Sequence, residues 1–396
     1  MYWPPNVRLE IYHLGVSIFM TKYDFELKKK VVMAYFNGEG GKYVLAKWKE
    51  AFMIDKFSII NWNIYANDRE WCIIDLSLPK EHNNQVEIWN YIMHTYYTTN
   101  NYVRRIFGKK VYKLSLSAAT TCPNRDGKVG VGGCTFCSAG GSGDFAACAA
   151  LPIEEQIAQA KEILGAKGAN MSYIAYFQSF TGTYGNLDYL ESMYQAACDY
   201  PEIVGISIAT RPDCLDAKAM AMLERIAAKK TLWVELGLQT IHEEAAKRIN
   251  RGYSLDVYEE AMAKLKKLKV HRITHVILGL PGESKENMLA TVKYVGERTD
   301  GIKLQLLHVL ENTRLAEEYR AGKFQVLEPE AYYELVADAV ELLPEDCIIH
   351  RLTGDGPKKS LIAPLWSGNK KRVMADMQKA LRQRGIVAYQ EKEHHK

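Results

Sequence analysis

"TLWVELGLQTIHEEAAKRINRGYSLDVYEEAMAKLKKLKVHRITHVILG" runs from Thr231 to Gly279. It begins with a short apolar run, TLWVELGL (231–238), and ends with another, VHRITHVILG (270–279). Both are rich in apolar and β-branched residues and stop at Gly or polar residues, the signature of strands. Between them SLDVYEEAMAKLKKL (254–268) reads as a helix with Ser254 as its N-cap candidate. Two strands joined through a helix belong to a parallel sheet.

The same unit repeats on either side. Further strands are expected at 112–117, 172–178, 203–209 and 301–310, and further helices at 152–166, 186–200, 216–230 and 284–298. Six strands alternating with helices, joined by right-handed crossovers, curl into a barrel or part of one. The expected fold class is therefore α/β, a partial (β/α)6 parallel barrel. Chemistry in such a barrel sits at the C-terminal strand ends, so the residues there are the first candidates.

Immediately after the first strand comes CPNRDGKVGVGGCTFC, Cys122 to Cys137, with three of the chain's 8 cysteines. The spacing C-x11-C-x2-C puts Cys134 and Cys137 within one turn, and Gly127, Gly130, Gly132 and Gly133 let the loop fold back. Three readings compete. Structural zinc takes four ligands, and neither Cys148 nor a spaced His pair completes the set. Core cysteines gathered by chance fit poorly in a Gly-rich loop. A [4Fe–4S] cluster held by three thiolates leaves one iron open for a substrate or cofactor.

From Tyr96 to about residue 367 the sequence resembles radical S-adenosylmethionine (SAM) enzymes, in particular the YhcC-like group related to the radical domain of the Elongator catalytic subunit. YYTTNNYVRRIFGKKVYKLSLSAATTCPNRDG followed by GGCTFCS looks like that group's opening. The long gap between the first two cysteines, in place of the better-known C-x3-C-x2-C, points to this branch. The resemblance implies a [4Fe–4S] cluster on Cys122, Cys134 and Cys137, with its open iron chelating the methionine moiety of SAM. It implies reductive cleavage of SAM to a 5′-deoxyadenosyl radical, which takes a hydrogen atom from a substrate. A flavodoxin or ferredoxin would be the reductant, and kinship to Elongator makes tRNA the candidate substrate.

The resemblance also nominates SAM contacts. Phe136 would pack on the adenine, with Ile277 lining it and Gly279 and Gly282 allowing close backbone approach. The segment FQSFTGTYG lacks the family's Gly-Gly-Glu and offers Gln178, Ser179 and Thr181 instead. Arg211 and Asp213 of ATRPD would serve cofactor or substrate, or pair with each other. Glu235 of VELGLQT would face the interior and need a partner, such as a ribose hydroxyl or an ammonium, with Gln239 just beyond. Arg251 resembles the Arg-Gly segment that contacts the cofactor carboxylate; otherwise it is a cation at a helix end. His275, His308 and His350 lie on or beside strands and are either core residues or ligands. The turn Gly-Asp-Gly-Pro (354–357) would cap the barrel mouth. The remaining cysteines have no metal spacing and read as structural.

Residues 1–92 differ in character: rich in Trp, Tyr and Asn, with no α/β alternation. Tyr23–Lys49 resembles the start of a transposase helix-turn-helix, without the recognition helix that should follow. The expected organisation is an atypical segment at 1–92 fused upstream of Met93, a barrel at 93–325 and a helical, basic extension at 326–396. In that extension Lys358, Lys359, Lys370, Lys371, Arg372, Lys379, Arg382 and Arg384 outnumber nearby acids, as a tRNA contact or a solvated face.

Hydrophobic residues make up 47% and charged residues 25% of the 396, with a formal charge of +4, an ordinary globular balance. No apolar run reaches the roughly 20 residues of a membrane span, and no signal peptide opens the chain, so a cytoplasmic location and no membrane partner are expected. The sequence gives no indication of oligomeric state. The rival from another class is a zinc-stabilised nucleic-acid-binding protein.

Overall fold

The computed structural model describes residues 94–165 and 171–389, together with the strands Leu9–Ile11, Val16–Ile18, Trp62–Asn67 and Glu70–Asp75. The chain divides into two compact units, Met1–Thr95 with Gln378–Lys396, and Tyr96–Met377. In the first, Leu9–Ile11 pairs antiparallel with Val16–Ile18, and Trp62–Asn67 with Glu70–Asp75. The helical reading of Tyr23–Lys49 lies outside the described residues.

The second unit carries seven strands: β1 (Val111–Leu116), β2 (Ser172–Phe177), β3 (Ile203–Thr210), β4 (Thr231–Gln239), β5 (His271–Leu278), β6 (Gly301–Leu306) and β7 (Ile348–Arg351). They pair in sequence order, all parallel, in one open sheet with β1 and β7 at its edges. The helices are α1 (Thr99–Phe107), α2 (Ile153–Leu164), α3 (Leu187–Asp199), α4 (Ala217–Lys229), α5 (Glu243–Arg248), α6 (Leu255–Lys266), α7 (Lys285–Gly296), α8 (Arg314–Arg320), α9 (Pro329–Leu342) and α10 (Lys370–Gln383). All six residues of β2 are buried, as in a strand covered on both faces. Asn186, Asp216 and Ser284 cap α3, α4 and α7 by accepting from the third backbone N–H, which fixes where each helix leaves its loop. Ser254 begins α6 without a side-chain cap bond.

The expected partial barrel is present, with a seventh strand. The sixth strand is shorter than expected: after Leu306 the chain leaves the sheet, and Val309–Leu310 pairs antiparallel with Leu361–Ala363. The N-terminal end of the barrel is plugged by α1, whose Tyr102 and Val103 pack with Ile174, Trp233, Ile273 and Ile348. Trp233 stacks on His271 with 6.1 Å between centroids, and a side chain at Gly205 would run into its ring. The floor is therefore apolar and closed, and the C-terminal strand ends are left to form the site.

Candidate active site

The cysteine loop is built by hydrogen bonds that the intervening residues make. Arg125 N donates to Cys122 O at 2.8 Å and Gly133 N to Asn124 O at 2.7 Å, which fold the eleven-residue gap into a compact turn. The Asn124 side chain, 1% exposed, donates to Asn250 O at 2.6 Å and reaches Cys134 Sγ at 3.7 Å. The Arg125 guanidinium donates to Cys137 O at 3.0 Å and also to Ser138 O. Gly133 has φ of +81°, and a Cβ there would stand 2.9 Å from Arg125 Nε, so glycine is required on both counts. Cys137 N donates to Cys134 O at 3.0 Å, which closes the turn between the last two thiols.

All three cysteines line one cavity at the C-terminal end of the sheet, together with Phe136, Gln178, Thr181, Arg211, Glu235, Gln239, Arg251 and Ile277. Ser179 and Asp213 are not part of the wall. Ser179 is 8% exposed, and its side chain fills the space beside Gly143; Asp213 forms a bidentate pair with Arg211 at 2.9 and 2.7 Å. Phe136 packs against the cluster of Ile249, Ile277, Leu280 and Leu315, so it is both a core residue and a cavity wall. Arg211 and Arg251 stand 4.9 and 4.7 Å from the centroid of the Tyr253 ring. Arg251, 1% exposed, gives its donors to Leu238 O, Thr240 O, Tyr253 O and Glu243. It builds the wall more than it projects from it.

Below this level the barrel is filled with charge. Glu235, fully buried, accepts from five groups: Lys113 at 3.1 Å, Tyr176 at 3.1 Å, Ser207 at 2.7 Å, His275 at 2.7 Å, and Lys303. Burial opposes its ionisation, but Lys113 and Lys303 outweigh that and hold the carboxyl well below its usual range. Burial lowers Lys303 and Glu235 opposes that, while Lys113 and Arg351 add to the lowering. His275 donates from Nε2 to Glu235, and Gln305 lies 3.1 Å from its Nδ1. Burial and then Lys303 bring His275 down to about 4, so it is neutral at pH 7. Glu235 faces inward, but protein donors occupy both its oxygens.

The residues fit an iron–sulfur cluster and a polar organic cofactor. Burial, then Cys137, push the Cys134 thiol up to about 12, so a strongly cationic group is what would hold it as thiolate. The Thr181 hydroxyl, in the cavity wall, is shut from bulk solvent with no hydrogen-bond partner. Among the described residues no group of three or more His, Cys, Asp and Glu is gathered as ligands of a single ion. A structural zinc site gathers its ligands on one ion, whereas a cluster spreads its thiolates over several irons.

Several site residues were not singled out from the sequence: Asn124, Arg125, Tyr253, Lys113, Tyr176, Lys303 and Gln305. For Lys113 and Lys303 a signal existed, since each is a lone lysine inside an apolar strand, YKLSLS and GIKLQLL. His308 is not in the cavity wall, but Gly354 and Gly356 close on its ring, and burial brings it down to about 4.

A parallel half-barrel whose C-terminal end gathers three cysteines and a polar cavity defines an enzyme of the radical type. Residues 120–295 match the Radical SAM superfamily and residues 299–383 the Radical_SAM C-terminal domain. Uncharacterized protein YtqA of Bacillus subtilis is 43% identical over 291 residues, 73% of this chain and 90% of that protein. Protein YhcC of Escherichia coli K12 is 37% identical over 286 residues, 71% and 91% of the two chains. The tRNA uridine(34) acetyltransferase of Dehalococcoides mccartyi is 33% identical over 168 residues, 41% of this chain and 36% of that one. The solved archaeal Elp3 of Methanocaldococcus infernus, with an N-terminal deletion, shares the fold at TM-score 0.52 and 20% identity; the match covers 68% of this chain and 63% of that one. The chain belongs to the Radical SAM superfamily, in the YhcC-like group related to the Elongator subunit Elp3. Members of this superfamily use a [4Fe–4S] cluster and SAM. Among the described residues no helix is long and apolar enough to cross a membrane.

Proposed function

We propose that Cys122, Cys134 and Cys137 hold a [4Fe–4S] cluster, that the cavity beside them binds SAM, and that the substrate is a tRNA. The observation that carries the first two parts is the convergence of three thiols and an unpaired buried hydroxyl, Thr181, on one cavity. When bound, the cluster and SAM supply one-electron cleavage of a carbon–sulfur bond and a carbon radical able to abstract hydrogen.

The chain's own residues hold and shield. Phe136 and Ile277 offer an apolar wall for the adenine ring. Thr181 and Gln178 offer hydrogen bonds, and Arg211 places a cation near the thiols. Arg251 and Tyr253 stiffen the wall behind them, and Gln239 lies at its rim. Glu235 holds Lys303, Tyr176 and His275 in one arrangement, so the interior keeps its shape and excludes bulk water. The units of function are a barrel at 93–325, to which the extension at 326–396 adds the edge strand β7, with 1–92 outside the catalytic unit.

The tRNA assignment draws on the relative named as a tRNA uridine(34) acetyltransferase. Exposed cations support it: Lys358 and Lys359 follow directly after the glycine turn that packs on His308, and Lys371, Arg372, Lys379 and Arg382 are exposed on α10. A flavodoxin or ferredoxin in the cytoplasm supplies the electron. The test is anaerobic purification with iron and sulfide analysis, then dithionite and SAM. Release of 5′-deoxyadenosine is expected; a fully loaded protein that cleaves no SAM rules the reading out. tRNA from a deletion strain, compared nucleoside by nucleoside with wild type, tests the substrate. An unchanged modification profile excludes tRNA.

A further inference from the structure

The sheet is open, and its two edge strands carry cations. Lys113 stands on β1, with its side chain 26% exposed and its Nζ on Glu235. At the other edge β7 carries a bulge: the partner of Ile302 is Ile349, and that of Lys303 is Arg351. The extra residue lets neighbouring positions share a face. His350 lies over Gly301, where a Cβ would come within 2.6 Å of its ring, and Arg351 stands in register with the buried Lys303.

Lys113 and Lys303 thus share one carboxylate, Glu235, whose oxygens already accept from five donors, and Arg351 stands in register with Lys303. The nearby Asp355 and Asp300 are paired with Lys370 and Arg272. Among the described residues the half-buried Arg351 guanidinium has no acceptor. A second orphan lies beside it: His350 Nδ1 is shut from solvent with no partner. A half-buried guanidinium without a protein acceptor presents a planar fork that an oxyanion can take. The neighbours tie the patch to the cavity: Lys303 is the register partner of His275, which with Gln305 lines the cavity wall.

We propose that the open seam of the half-barrel is an oxyanion-binding site, built on Arg351 and Lys113 with Lys303 between them, which receives a phosphate or carboxylate group of the substrate. The word substrate rests on the radical reading of the adjoining cavity; the anion site itself does not. Phosphate and carboxylate present the same chemistry to the fork, and titration separates them.

The full chain, purified anaerobically, is titrated calorimetrically with inorganic phosphate and with succinate. Saturable one-site binding of at least one is expected, and the tighter of the two identifies the group. Arg351→Gln should weaken it by about tenfold or more, the loss of one charge-assisted pair. Arg320→Gln, in the exposed pair with Glu311, should leave it within about twofold. Binding of neither anion, or an Arg351→Gln protein within about twofold of wild type, overturns the site. If Arg351→Gln does not fold, Arg351→Lys and Lys113→Gln carry the test, each expected to weaken binding about threefold or more, and no change in both overturns it. Release of 5′-deoxyadenosine by the wild type, measured on the same preparation, reports on the radical reading alone. Anion binding without it removes the substrate assignment and leaves the anion site; release without anion binding does the reverse.

Discussion

Lys303 and Glu235 are 68 residues apart in the chain and form an ion pair in the interior of the half-barrel, with side chains 3% and 0% exposed. Two charges that far from water persist only if every remaining donor and acceptor is satisfied. Here Tyr176, Ser207, His275 and Lys113 complete the set on Glu235. The pair is the hub around which six strands agree on one register.

Glu235→Gln should therefore cost about 3–5 kcal/mol of stability, because Lys303 is left buried without its counter-charge. The double variant Glu235→Gln with Lys303→Met should recover a large part of that loss. Urea unfolding of the three proteins measures both numbers. Equal destabilisation by single and double variants would contradict the pairing.

Acid should destabilise the fold above the range where carboxylates titrate. His275 and His308 ionise at about 4 in the folded chain, against an unfolded value near 6.5. Between those values the unfolded chain binds protons that the folded chain does not, so stability falls as pH drops from about 6.5 to about 4 and then levels off for these groups. A shift of that size corresponds to roughly 3 kcal/mol per histidine. His308→Gln should flatten the curve of stability against pH in this window, as read from urea midpoints at a series of pH values. A curve unchanged by the substitution would remove His308 from the account.

Cys134→Ala should lower iron from about four per chain to near zero, since a cluster held by three thiolates is not expected to survive on two. Cys198→Ala, at a buried cysteine packed in α3, should leave iron content unchanged. Iron and acid-labile sulfide analysis decides; full iron in the Cys134 variant would overturn the ligand set.

Arg251→Lys should cost about 2–4 kcal/mol of stability, because an ammonium cannot reach the four acceptors that the guanidinium joins. Urea unfolding measures the loss. Weaker SAM binding at unchanged stability would instead return Arg251 to direct contact with the cofactor.

The strand and helix pattern was legible because each β/α unit is local: apolar runs of six to nine residues, with an Asn, Asp or Ser cap opening several of the helices. The cysteine loop was legible because scarce residues at fixed spacing stand out whatever surrounds them. β7 was not, because four residues, IIHR, become a strand only by pairing with β6 on one side and meeting Thr98 on the other. Nor was α1 as the plug of the barrel, since its packing on Trp233 and Ile273 joins residues more than a hundred positions apart.

The site divides in the same way. Spacing and strand ends pointed to Cys122, Cys134 and Cys137, the family resemblance added Phe136, Thr181 and Ile277, and the fold brings all six to one cavity; the family match places the chain in the Radical SAM superfamily. Which polar groups remain available depends on distance in space. Sequence offers Glu235 and Arg251 as equals of Thr181, yet folding gives Glu235 five donors and Arg251 four acceptors, and leaves Thr181 none. Local order along the chain sets secondary structure and cysteine spacing; only the assembly of the sheet decides which buried charges neutralise one another, because those partners come from different strands.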